Sequence, residues 1–229
     1  MTTTMKTFLA VKNEDTAKPQ IYIQGFIGSS WFFEGNTDKG IKRMLDGLGD
    51  KEEIDVVINS NGGDVFQGIA IGNLLKANNA KINVIINGIA ASAASIIAMA
   101  GDTIQIYSNA QLMIHRASTW EEGNVDDFRR IADQLESIDK SVKASYKQRF
   151  NGTDDELQKL LVDETFMDAE TALRYGLVDE IVDEVKETDP QELEEETAEI
   201  TAEVFAKREQ RFAAFANALQ KTIRKEDEK

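Results

Sequence analysis

The 229-residue chain has no cysteine and a single histidine, His115. The first absence excludes disulfides, thiol nucleophiles and cysteine-based metal sites, and the second excludes a zinc site built from several histidines. Basic residues are also in deficit, with 26 Lys and Arg against 41 Asp and Glu and a formal charge of −15. A nucleic-acid surface needs clustered Lys and Arg, so no nucleic-acid partner is expected, and neutral, basic or peptide partners stay open. Residues 1–18 lack an apolar run of signal-peptide length, which makes the cytoplasm the expected location. Val84 to Ala100 is poor in charge and near the length of a membrane span. Asn87, Gly88 and two serines interrupt it and no basic cluster flanks it, so no membrane contact is expected.

What is present describes an α/β protein. A hydrophobic fraction of 41% supports one globular body with an appendage. The expected division is an N-terminal arm over 1–18, a body over 19–184 and an acidic helical tail over 185–229. Within the body, Ile21-Tyr22-Ile23 opens a strand closed by Gly25 to Gly28, and Thr37-Asp38 caps a helix that Gly49 stops. Ile54 to Ile58 reads as a buried strand, Asn59 to Gly63 as a turn, and Asp64 to about Asn78 as a helix. Lys81 to Ile86 is the next strand, broken at Gly88, and Ser92 to Ala100 a buried helix. Thr103 to Tyr107 and Gln111 to His115 follow as strands. The apolar spacing from Asn124 to Phe150 predicts a long amphipathic helix. Thr153-Asp154-Asp155-Glu156 predicts a capped shorter one, Ala169 to Tyr175 a third, and Leu177 to Val182 a last strand. The tail carries Phe205, Phe212 and Phe215 on a helical pattern.

Two successive βαβ crossovers place both glycine-containing turns at the carboxyl ends of parallel strands, where α/β sites form. Ser92 stands at a helix N-terminus, whose unpaired N–H groups and dipole suit a developing oxyanion. A serine becomes a nucleophile when a base near neutrality takes its proton, and His115 ends a strand one crossover later, toward the same edge. A carboxylate to orient the imidazole is also needed, and acidic residues are too abundant for composition to choose one. Ser95, one turn inside the helix, is the rival serine, better placed to bond backward.

Four stretches in order, Ile58-Asn59-Ser60-Asn61-Gly62-Gly63, Gly88-Ile89-Ala90-Ala91-Ser92, Met113-Ile114-His115 and Tyr175-Gly176-Leu177-Val178-Asp179, resemble the Clp-type serine peptidase family, ClpP. The resemblance spans about Ile54 to Asp183. It implies a crotonase-like spiral of repeated ββα units with a long protruding handle helix, to which this chain adds its acidic tail. It also implies a serine endopeptidase with Ser92 as nucleophile, His115 as base, the N–H groups of Gly63 and Ala93 as oxyanion hole, and no cofactor or metal. The family's third member aligns with Glu164, with Asp163 beside it as the alternative. Asn61 stands where the family usually has proline. The segment Ser-Trp-Phe-Phe-Glu-Gly at residues 30–35 and the tail resemble the Clp-like head-maturation (prohead) proteases of phages and prophages, which cleave scaffold and capsid precursors. By the same resemblance the chain is expected to form a homo-oligomer of stacked, heptameric rings, met through the long helix, and to act on protein or peptide substrates. An ATPase partner stays open. The alternatives are a crotonase-fold acyl-CoA enzyme, an inactive structural ring subunit, and a Ser-Lys peptidase. Covalent labelling of Ser92 would separate a peptidase of the first kind from the acyl-CoA enzyme and the inactive subunit.

Overall fold

The run Ile54 to Ile58 becomes the middle of the sheet. In the computed structural model, which describes residues 8–29 and 35–182, it lies in β3 (Glu53–Gly63), between the parallel strands β2 (Gln20–Ile27) and β4 (Lys81–Ala91). Ile54, Val56, Val57 and Ile58 are all buried, so both faces of the strand are covered and its sequence does not alternate. Asp55 is buried with them. Its carboxylate is compensated by Lys18 Nζ at 3.0 Å and by the Asn83 side-chain amide, which donates to it at 3.2 Å.

Helices α1 (Asp38–Leu48), α2 (Val65–Lys76) and α3 (Ala93–Ala98) connect β2 to β3, β3 to β4 and β4 to β5 (Thr103–Tyr107), each time between parallel neighbours. Thr37, the expected cap, accepts the Gly40 N–H, and Asp64 caps α2 by accepting those of Phe66 and Gln67. β6 (Gln111–Ile114), α4 (Val125–Lys147), α5 (Asp154–Val162), β7 (Thr165–Asp168), α6 (Ala169–Arg174) and β8 (Glu180–Val182) complete the order. Asn124 and Thr153 open α4 and α5 with reciprocal capping boxes. The result is a mixed α/β fold on an eight-stranded sheet, ordered β1 (Phe8–Lys12), β2, β3, β4, β5, β8, with β6 and β7 branching from β4.

That branch positions the site. The first half of β4 pairs with β5, Asn83–Ile86 against Thr103–Ile106. Its second half pairs with β6, Ile89–Ala91 against Gln111–Met113. Two expectations are corrected here. Asn59 to Gly63 is not a free turn but the continuation of β3, because β2 extends beside it and pairs Phe26 with Gly62 and Ile27 with Gly63. Gly88 does not break the strand either. The β3–β4 register shifts between Ile58 and Ser60, the Asn59 side-chain oxygen accepts the Ile89 N–H at 3.3 Å, and β4 runs on to Ala91.

Two strands were not anticipated. β1 (Phe8–Lys12), within the expected arm, pairs antiparallel with β2, and β7 pairs antiparallel with β6. β7 is only four residues long with Met167 as its one buried side chain, too short for periodicity to reveal. Helix α4 buries Val142 and Tyr146 near its C-terminus and leaves Val125 and Phe128 exposed at 61% and 51%. Among the described residues, no helix is long and apolar enough to cross a membrane. All described residues belong to the unit Met1–Glu184. The expected tail, and most of the aromatic segment at residues 30–35, lie outside the described residues.

Candidate active site

Ser92 leaves β4 still tied to β6, its N–H donating to the Met113 carbonyl at 3.0 Å. Its backbone then takes φ 54 and ψ −125, a conformation that non-glycine residues seldom adopt and that turns the chain sharply into α3. A serine at the N-cap ordinarily folds its hydroxyl back onto the helix amides. Ser92 makes no such cap bond, and its Oγ lies 2.6 Å from His115 Nε2.

His115 follows directly on β6, two residues beyond the carbonyl that holds Ser92, so the β4–β6 register brings serine and imidazole together. The chain after His115 is fixed as well. The Arg116 N–H donates to the Leu161 carbonyl at 3.1 Å, while the Arg116 guanidinium and the Ala117 N–H both reach the Asp139 carboxylate on α4, at 2.5 and 2.8 Å.

The end of β3 approaches from the other side. The buried Ser60 hydroxyl donates to the Gly25 carbonyl at 2.5 Å and accepts the Gly62 N–H at 3.0 Å. Gly62 has φ 93, and a Cβ there would stand 2.7 Å from the Ser92 Cβ; Gly63 has φ 153, and a Cβ there would meet the Ile27 carbonyl oxygen at 2.1 Å. Neither position admits a side chain, which is why the approach to Ser92 is made by two glycines. Gly63, Ser92, Ala93 and His115 line one cavity of about 270 Å³, whose apolar wall includes Ile96 and Ile138.

The two candidate carboxylates stand outside that cavity lining. The β6–β7 ladder pairs Ile114 with Thr165, so Glu164 is the next residue in register with His115. Glu164 has φ 50 and an exposed side chain. Asp163 ends α5 and is engaged by Lys159. Among the described residues, neither carboxylate hydrogen-bonds the imidazole. Ser95 is fully buried, donating from Oγ to the Ser92 carbonyl and contacting the Tyr146 hydroxyl, so it is withdrawn from the cavity as its place in the helix suggests. No cluster of three or more His, Asp and Glu side chains able to hold a metal ion occurs among the described residues.

Sequence reasoning did not reveal the Asp139 clamp, the Ser60 bridge or the Ser95–Tyr146 contact. The one available signal was a serine inside a helix otherwise made of buried apolar residues.

A serine with an imidazole at hydrogen-bond distance, at the carboxyl end of a parallel strand, defines a site of the serine-hydrolase class. Residues 41–185 match the family Clp protease. The ATP-dependent Clp protease proteolytic subunit of Deinococcus radiodurans is 30% identical over 146 residues, covering 63% of this chain and 72% of that protein. The protein of the same description from Pleurastrum terricola is 34% identical over 132 residues, covering 57% and 67%. The chain belongs to the Clp protease family and is a peptidase.

Proposed function

We propose that this serine peptidase is an endopeptidase in which Ser92 attacks the scissile carbonyl. The observation that carries the reading is the 2.6 Å contact between Ser92 Oγ and His115 Nε2, at a serine whose positive φ presents it to the cavity. Nε2 must accept, so the imidazole proton resides on Nδ1. As Oγ bonds to the carbonyl carbon, its proton passes to Nε2. The carbonyl oxygen takes up the electron pair and is received by the N–H groups of Gly63 and Ala93, both on the cavity wall. The imidazolium then protonates the leaving amine, and water, deprotonated by the same nitrogen, releases the acyl group. Glu164 is the proposed third member. Its support is the backbone register opposite His115; Asp163 is the alternative, disfavoured because Lys159 holds it.

Scaffold and capsid precursor proteins of a phage head are the proposed substrates, supported by the resemblance of residues 30–35 and of the acidic tail to prohead proteases. The proposed assembly is a stacked ring, heptameric as in the resembled family, supported by the exposed Val125 and Phe128 on α4.

A fluorophosphonate probe with peptide mapping tests the chemistry. Modification at Ser92, abolished in Ser92→Ala with the fold retained, is expected, with peptide hydrolysis lost by several orders of magnitude. Full hydrolysis by Ser92→Ala overturns the assignment. Co-expression with a capsid precursor tests the substrate: cleavage by the wild type and not by Ser92→Ala is expected, and an intact precursor in both refutes it.

A further inference from the structure

We propose that Tyr146 and Ser95 form a positioning relay that aims the Ala93 N–H into the cavity, so that α4 supports the transition state through two hydroxyl groups. The inference rests on the proposed roles of Ser92 and Ala93.

Proton counting fixes the direction of the relay. The Ser92 carbonyl can only accept, so the Ser95 hydroxyl, at 2.7 Å, spends its single proton there. The Tyr146 hydroxyl, 2.8 Å from Ser95 Oγ, must therefore be the donor in that pair. Tyr146 is fully buried, and burial pushes its phenol well above the ordinary value against the opposing effect of the Ser95 bond, so it keeps its proton in any working buffer.

The acceptor at the end of the relay is half of a rigid unit. A trans peptide is planar, and its C=O and N–H point in opposite directions. Fixing the Ser92 carbonyl against α3 therefore fixes the Ala93 N–H pointing away from it. The carbonyl accepts from Ser95 N at 3.0 Å and Ile96 N at 3.2 Å as well, and the Ser95 hydroxyl makes the shortest of the three bonds. Ser92 occupies an unfavourable backbone region, where the plane has reason to rotate once this bond is gone.

The competing explanation is that two buried hydroxyls merely satisfy each other. Saturation kinetics with the fluorophosphonate probe separate the two, because its phosphoryl oxygen occupies the oxyanion position. Ser95→Ala is expected to lower the limiting inactivation rate about tenfold, the size of one net hydrogen bond, with the probe's half-saturation concentration unchanged. Tyr146→Phe is expected to give a smaller loss in the same parameter. The double variant Ser95→Ala/Tyr146→Phe removes both polar groups. Its thermal stability should recover toward the wild type relative to Ser95→Ala, while its inactivation rate stays at the Ser95→Ala level. A rate that recovers together with stability, or single variants that lose stability but react at the wild-type rate, overturns the relay alone. Wild-type protein modified at a residue other than Ser92 overturns the nucleophile assignment, and the relay with it.

Discussion

Gly68 and Gly72 lie one turn apart on α2, and replacing each by alanine should have opposite effects. In an unobstructed helix the change gains about 0.8–1 kcal/mol, because alanine loses less backbone entropy on folding. At Gly72 nothing opposes the gain, since the nearest atom to a new Cβ is the Ile96 carbonyl oxygen at 3.6 Å, an ordinary contact. At Gly68 the new atom would stand 2.8 Å from the Ala93 carbonyl oxygen, 3.0 Å from the Ala93 Cβ and 3.2 Å from its Cα. Carbon contacts are favourable near 3.5–4.0 Å, so α3 must retreat from α2 by roughly half an ångström. Overpacking of this kind costs about 1–3 kcal/mol, which outweighs the propensity gain. We expect Gly72→Ala to stabilise by about 0.5–1 kcal/mol and Gly68→Ala to destabilise by about 1–2 kcal/mol, read as midpoints moving apart at about 2–4 °C per kcal/mol. The displaced residue is Ala93 itself. With about a hundredfold loss per ångström of misplacement, fluorophosphonate modification of Gly68→Ala should slow roughly tenfold, and that of Gly72→Ala should not change. If Gly68→Ala melts at or above the Gly72→Ala temperature and reacts at the wild-type rate, the close α2–α3 contact does not constrain the site.

Glu164→Gln should slow acylation by on the order of 10³–10⁴, because an amide favours the wrong imidazole tautomer and cannot stabilise its charge, whereas Asp163→Asn should cost little; equal mild effects in single-turnover assays would leave the base without a carboxylate partner. Phe128→Glu, on the exposed part of α4, should split an assembly in which two such faces meet; sedimentation of the wild type as a monomer at micromolar concentration would refute the assembly. The Asp168 carboxyl is held below the usual carboxylate range by the Thr171 side chain first and the Thr171 N–H second. A lowered native pKa stabilises above the unfolded value, and the contribution fades as pH falls through the native one. Urea midpoints should therefore decline less below about pH 4 in Asp168→Asn than in the wild type, and identical acid limbs would remove Asp168 from the acid response.

The meeting of Ser92 and His115 was legible because each ends an apolar run, and the direction of parallel strands sends both ends to one edge. The element boundaries around them were not. Asn59 to Gly63 has the composition of a turn, yet it is extended because β2 reaches alongside it, a long-range pairing that local preference does not encode. The same holds at Gly88, where the β6 ladder keeps β4 extended to Ala91. Ser95 and Tyr146 are 51 positions apart, and the sequence shows one as a small residue in a buried helix and the other as part of an apolar stripe. For the carboxylate, composition could not choose, and the family resemblance offered two adjacent acids, Asp163 and Glu164. The β6–β7 register distinguishes them only by backbone position, because the alignment of a side chain with Nδ1 depends on a rotamer.

Helix α4 grips the site at two points. Asp139 holds the segment just after His115, and Tyr146 holds Ser95 behind Ser92. They lie seven positions apart, about 10 Å along the axis and only about 20° around it, so one face of the helix serves as a gauge between the histidine side and the serine side. Its length and its phase are both part of the gauge. A single residue inserted between Asp139 and Tyr146 would swing one grip about 100° out of line, whereas the first turns of α4, near the exposed Val125 and Phe128, carry no such constraint. Changes in helix length are therefore expected to be tolerated toward Val125 and to abolish activity between the two grips, where the spacing of two groups outside the proposed chemistry sets the spacing of the two proposed to carry it.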